Sequence, residues 1–121
     1  MEGKLLLDDD EEDFDFQIFD CVERALSKLG ESEKELVLRA LATQFNLSGV
    51  DIARNPSEVE NCLTKLLGKS GSAFILIHIL DNISRSFKID LIDNCNLAEA
   101  IEEARKEILS RKQSYLVSSH F

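Results

Sequence analysis

The chain has one proline and five glycines in 121 residues. So few breakers exclude a turn-rich β sandwich or barrel, in which turn signals recur between short strands. Its cysteines are also few. Cys21, Cys62 and Cys95 fall one to each apolar segment and never form a CxxC pair. An odd, scattered set argues against a disulfide framework and predicts reduced core thiols in a cytoplasmic protein. Only His78 and His120 are available to join them. That is too sparse for a zinc set, so neither metal nor cofactor is expected. Long apolar runs are missing as well. The opening MEGKLLLDDD has three consecutive leucines, too short for a signal-peptide core, and no later stretch is read as a membrane span. No serine lies in a nucleophile-elbow pattern and no paired carboxylates are tied by spacing to a pocket, so no catalytic residues are assigned and an enzyme is not expected.

What the chain does have is 44% hydrophobic residues, enough for one modest core. Its net charge of −9 is unevenly spread, with residues 1–30 at −7 and residues 31–121 at −2. Most of the acid sits in DDDEEDFDF, residues 8–16, with seven carboxylates among nine residues. A calcium loop of the EF-hand kind needs glycine at its sixth position and glutamate at its twelfth. From Asp8 those positions hold Asp13 and Phe19, and from Asp9 they hold Phe14 and Asp20. Neither register works. Mutual repulsion predicts instead an extended, hydrated and mobile leader over residues 1–15.

Hydrophobic period then predicts an all-α fold, a small bundle of four to five helices over residues 16–112, followed by a tail at 113–121. The first helix runs from about Phe16 to Leu29 and stops at Gly30. A second opens at Ser32 with a capping box to Glu35, and Val37, Leu41 and Phe45 form its inward stripe. The stretch NLSGVDIARNP reads as a connection of about ten residues. Asn55, Pro56 and Glu58 then start a third helix, whose stripe is Val59, Cys62, Leu63, Leu66 and Leu67. AFILIHIL lies in a central helix from about Ser72 to Phe87, predicted to be covered by neighbours on most sides and to hold His78 as a core histidine. The last helix begins near Asn96 with Glu99 as its capping partner. Its outer face carries the pairs Glu102–Lys106 and Glu107–Arg111.

Two constellations stand out as candidate sites. GKS at 68–70 ends like a phosphate-binding loop, but the position that should be its first glycine is Leu63, inside a helix. What remains is a candidate anion site at a helix start, formed by Lys69, Ser70, Gly71 and Ser72. The second is a seam of Leu97, Ile101, Ala104 and Ile108 at spacings of four, three and four. It suits another helix and predicts a homodimer. A DNA-reading helix-turn-helix is disfavoured, since its turn is tight and its reading helix would here carry Glu58 and Glu60.

From Leu29 to about Ile83 the residues LGES, QFNL and DIARNPSEVENCLTKLLGKSGS, followed by an apolar helix, resemble the archaeal Nitrosopumilus output domain family. The matching positions are Gly30, Asp51, Ile52, Pro56, Leu63, Gly68 and Gly71. The resemblance implies a small helical output module of archaeal signalling, and it brings no catalytic residue. The expectation is therefore a non-enzymatic interaction module with a protein partner and no membrane or nucleic-acid role. The alternative is a helical regulator binding an anion or nucleic acid through Lys65, Lys69, Arg85 and Lys88.

Overall fold

The computed structural model describes the backbone of residues 8–118 and the side chains of residues 11–111. Five α-helices follow one another: α1 Asp8–Leu26, α2 Glu31–Phe45, α3 Asp51–Arg54, α4 Pro56–Phe87 and α5 Leu97–Ser118. A 3₁₀ turn, Ser27–Leu29, closes α1. No strand occurs among the described residues, so the expected all-α bundle is the observed one.

The first difference from the sequence expectation is α1. The acidic stretch is helical from Asp8, and Phe14 and Asp15 are buried, so residues 8–15 belong to the domain and not to a leader. Acids near the positive end of a helix dipole are favourable there. Two of them also find cations far along the chain: Glu11 meets Arg105 at 2.8 Å and Asp15 meets Arg54 at 2.6 Å. Residues 1–7 lie outside the described residues.

Gly30 stops the first helical segment as expected, with φ 100° and ψ 156°, a region essentially confined to glycine. It also stands at the N-cap of α2, which therefore starts at Glu31. The Ser32–Glu35 box does not form, because Ser32 already lies inside the helix. Val37 and Leu41 face the core and Phe45 is half-buried, as the stripe predicted.

The ten-residue connection is not all loop. It holds α3, a single turn that puts Ile52 and Ala53 into the core and Arg54 against Asp15. Pro56 occupies the first turn of α4. Asn55 precedes it without a side-chain cap and donates its amide back to the Asp51 carbonyl instead.

The third and central helices form one kinked element, α4, that bends at Gly68 with φ 80° and ψ 172°. An added Cβ at Gly68 would meet nothing within 4 Å. The constraint there is thus backbone conformation alone, which costs a residue with a side chain about 1–3 kcal/mol. α4 packs against both α1 and α5. Val59, Cys62 and Leu63 are buried before the kink, and Ile75, Ile79, Ile83 and Phe87 at four-residue spacing after it. By length and composition alone this 32-residue helix meets the requirement for crossing a membrane, contrary to the sequence expectation. After the kink its buried residues are the inward row Ile75, Ile79, Ile83 and Phe87, and most of the apolar window is not covered by the described residues.

The chain leaves α4 through Lys88, in the left-handed region at φ 57°, and Arg111 of α5 donates to the Phe87 carbonyl at 2.9 Å. At the other end of α5 the predicted capping box forms in both directions between Asn96 and Glu99, at 2.9 and 2.8 Å. Glu60 of α4 supplies a second cap by accepting the Leu97 N–H. Glu107–Arg111 pairs as expected, whereas Lys106 turns to Glu103 and not to Glu102. The α5 backbone continues to Ser118, so the expected boundary at 112 falls inside a helix; residues 119–121 lie outside the described residues.

Candidate functional site

The seam expected to make a dimer is already occupied. Leu97, Ile101 and Ala104 are buried, with Ala100 beside them, and Ile108 packs on the same core, chiefly against α4. A four-three-four apolar seam answers any neighbouring helix, and here that helix is α4 of the same chain. The expected dimer face is corrected on that ground.

Among the described residues Phe16, Leu36 and Ile92 are exposed singly on α1, α2 and the link before α5, whereas Phe74 and Ile77 share one face of α4 after the kink. AFILIHIL has one polar residue in eight, so whichever side faces the core, the other side is apolar too. Ile75, Ile79 and Ile83 take the inward side. Phe74 and Ile77 remain 47% and 65% exposed. The expectation that neighbours cover most sides of this helix is therefore wrong for its outer face. That face carries Ser70, Phe74, Ile77 and Asp81 at spacings of four, three and four, with Ala73 exposed beside them. Apolar surface rimmed by polar residues marks interaction sites in soluble proteins. His78 is half-buried on its flank and meets the Phe74 ring edge-on at 4.7 Å, so it is an aromatic neighbour of the face rather than a core histidine.

The candidate anion site falls at the start of this second part of α4. Lys69 and Ser70 are exposed and Gly71 and Ser72 half-buried. The Ser72 hydroxyl donates to the Lys69 carbonyl at 3.1 Å and lies 3.2 Å from the Thr64 hydroxyl across the kink. A cavity of about 170 Å³ opens here, lined by Leu63, Leu76 and Ala73 together with Glu60, whose carboxylate opposes a bound anion. The four bases of the alternative reading do not converge. Lys69 and Arg85 sit on one helix sixteen residues apart, roughly 24 Å at the helical rise. Lys65 lies over the Phe45 ring at 5.9 Å, and Arg85 pairs with Asp81 at 3.1 Å.

Sequence reasoning missed Asp15. Its carboxylate is 1% exposed, one oxygen accepts from Arg54, and the other has no hydrogen-bond partner. The pair holds α3 against α1, and the carboxylate raises the Arg54 guanidinium further above its ordinary range. Its signal in sequence was hidden among six other acids. No cluster of three or more His, Cys, Asp or Glu side chains suited to a metal occurs among the described residues.

All three cysteines are free and buried, as the scattered spacing predicted. Burial is the main cause that pushes each thiol upward. For Cys95 the nearby Glu99, Glu60 and Glu103 add to it, while for Cys21 the Ser86 and Arg24 contacts work against it. In the native protein the thiols should therefore react with a disulfide reagent only as fast as the chain opens, and all three should react at once in denaturant. A thiol raised in the folded state contributes stability that is complete below its unfolded value and is lost as pH rises beyond it. Urea midpoints should accordingly begin to fall above about pH 8.5. A thiol titrating rapidly in the native chain at neutral pH would place it at the surface.

Comparison of the chain with family models, with curated proteins and with solved structures finds no match.

Proposed function

We propose that the chain is a non-enzymatic protein-interaction module, an output element of archaeal-type signalling, and that it contacts its partner through the outer face of α4. The observation that carries the reading is the exposure of Phe74 and Ile77 on the helix whose opposite side forms the core. Leaving two large apolar side chains in water on a rigid, centrally placed helix is unfavourable unless another surface covers them. The face is held by the fold without any rearrangement, since the inward row of isoleucines fixes its rotation. The resemblance from Leu29 to Ile83 supports the same class of role.

A benzophenone side chain placed at position 74 tests the proposal in cells. Illumination should give a covalent protein adduct, and Ile77→Glu should suppress it. The same probe at exposed Arg39 serves as the control. Equal adducts from both positions, or none from position 74, would remove α4 as the contact face.

A further inference from the structure

The stretch DDDEEDFDF is only half used by the fold. Phe14 turns inward, where the Arg105 guanidinium lies over its ring at 4.6 Å, and Glu11, three residues before it, holds that arginine at 2.8 Å. Phe16 turns outward at 51% exposure. Its helical neighbours repeat the arrangement: Asp13 stands three residues before it, Glu12 four before and Asp20 four after. All three acids are exposed. Among the described residues no cation lies over the Phe16 ring. Beside it an open groove of about 390 Å³ is lined by Phe16, Gln17 and Asp20 of α1 and by Ser86 of α4. The bases around this face are already engaged: Arg24 with Asp20 at 2.9 Å, Arg54 with Asp15 at 2.6 Å and Arg85 with Asp81 at 3.1 Å. Neither these nor Lys88 forms an ion pair with Glu12 or Asp13 among the described residues, so those two carboxylates are unmatched.

We propose that this face of α1 is a second docking surface, and that its occupant is an arginine-rich peptide segment of another protein, with one guanidinium stacked on Phe16 between the flanking acids. A planar guanidinium can lie on an aromatic face and bond a carboxylate at the same time, which an ammonium does less well. The fold itself makes this contact once, at Phe14 with Glu11 and Arg105. Between Lys4 and Arg24 the chain holds nine acids and no base, a field that repels nucleic-acid phosphates and draws in a basic segment. A second copy does not supply that segment, because no five consecutive residues of this chain hold three bases. The surface is also separate from the Phe74 face. Its α4 member, Ser86, lies nine residues beyond Ile77, roughly 14 Å along the helix.

A labelled peptide of alternating arginine and serine is the probe, titrated onto the full chain and followed by fluorescence anisotropy. Binding should saturate at low salt and weaken as salt shortens the screening length. Phe16→Ala should raise the dissociation constant by about 10-fold, as loss of an anchoring side chain does. Glu12→Gln together with Asp13→Asn should weaken binding by a similar factor. Glu31→Gln together with Glu33→Gln removes the same charge at exposed positions of α2 and should leave the affinity within about 2-fold. Every substituted side chain is exposed, so far-ultraviolet circular dichroism should stay native throughout. In the native chain, amide shifts should change around Glu12, Phe16 and Ser86, and a lysine–serine peptide should bind more weakly. Absence of binding, indifference to Phe16→Ala, or shift changes centred on other helices overturns α1 as the docking surface. Equal losses from the α1 and α2 charge pairs show attraction by net charge only and overturn it too. Equal affinity for the arginine and lysine peptides overturns the guanidinium seat on Phe16.

Discussion

Phe14→Ala is expected to destabilise the fold by about 3–5 kcal/mol, the range for deleting a buried phenylalanine. The side chain is 3% exposed, and its ring meets Phe87 at 5.4 Å between centroids. The Arg105 guanidinium lies over the ring at 4.6 Å and is held there by Glu11 at 2.8 Å. Removing the ring opens a cavity where α1, α4 and α5 meet and leaves the arginine without its aromatic seat, a contact worth about 0.5–2 kcal/mol by itself. Against a typical domain stability of about 5–15 kcal/mol, that is a large share. The urea midpoint should fall with the slope preserved. Phe16→Ala, two residues on at a position 51% exposed, should stay within about 0.5 kcal/mol. Equal, small effects at the two positions would show that the acidic turn of α1 is not docked on the core.

Phe14 also shows where the sequence was legible and where it was not. Periodicity located Val37, Leu41, Val59, Cys62 and Leu63 on the inward sides of their helices, and local signals located Gly30 and the Asn96–Glu99 box at helix ends. Those features are local: each is decided within about four residues. The acidic run is not decided locally. Its carboxylates repel one another, and what makes the helix favourable is Arg54 at a separation of 39 residues and Arg105 at 94. Without tertiary contacts the same letters spell a hydrated leader. The site failed to show for a different reason. The α5 seam and the outer face of α4 are both apolar rows at four-three-four spacing, and period cannot say which is covered by its own chain. AFILIHIL is apolar on nearly every side, so its inward isoleucines and outward Phe74 and Ile77 become distinct only once α1 and α5 have docked.

Ile101→Glu is the variant that separates these two rows most sharply, and it is expected to cost more than about 4 kcal/mol. Ile101 is 4% exposed, and Leu97, Ala100 and Ala104 beside it are buried. A carboxylate there loses its hydration and the hydrophobic burial of the isoleucine, and Arg105 one turn on is already held by Glu11 and the Phe14 ring. Burial also raises the folded-state pKa of such a carboxyl above its unfolded value. Its protonated form is then the better tolerated one, so the deficit relative to the native chain should shrink as pH is lowered from 7 toward 5. Had the seam been an exposed dimer face, the same change would dissociate the protein and leave its helices intact. Circular dichroism and mass measured together distinguish the outcomes: Ile101→Glu should lose helix content and cooperative unfolding, whereas Ile77→Glu should keep both and lose only its partner. A folded, helical Ile101→Glu chain of single mass would mean that α5 is not packed within its own chain, and that the inner and outer faces assigned to α4 must be exchanged.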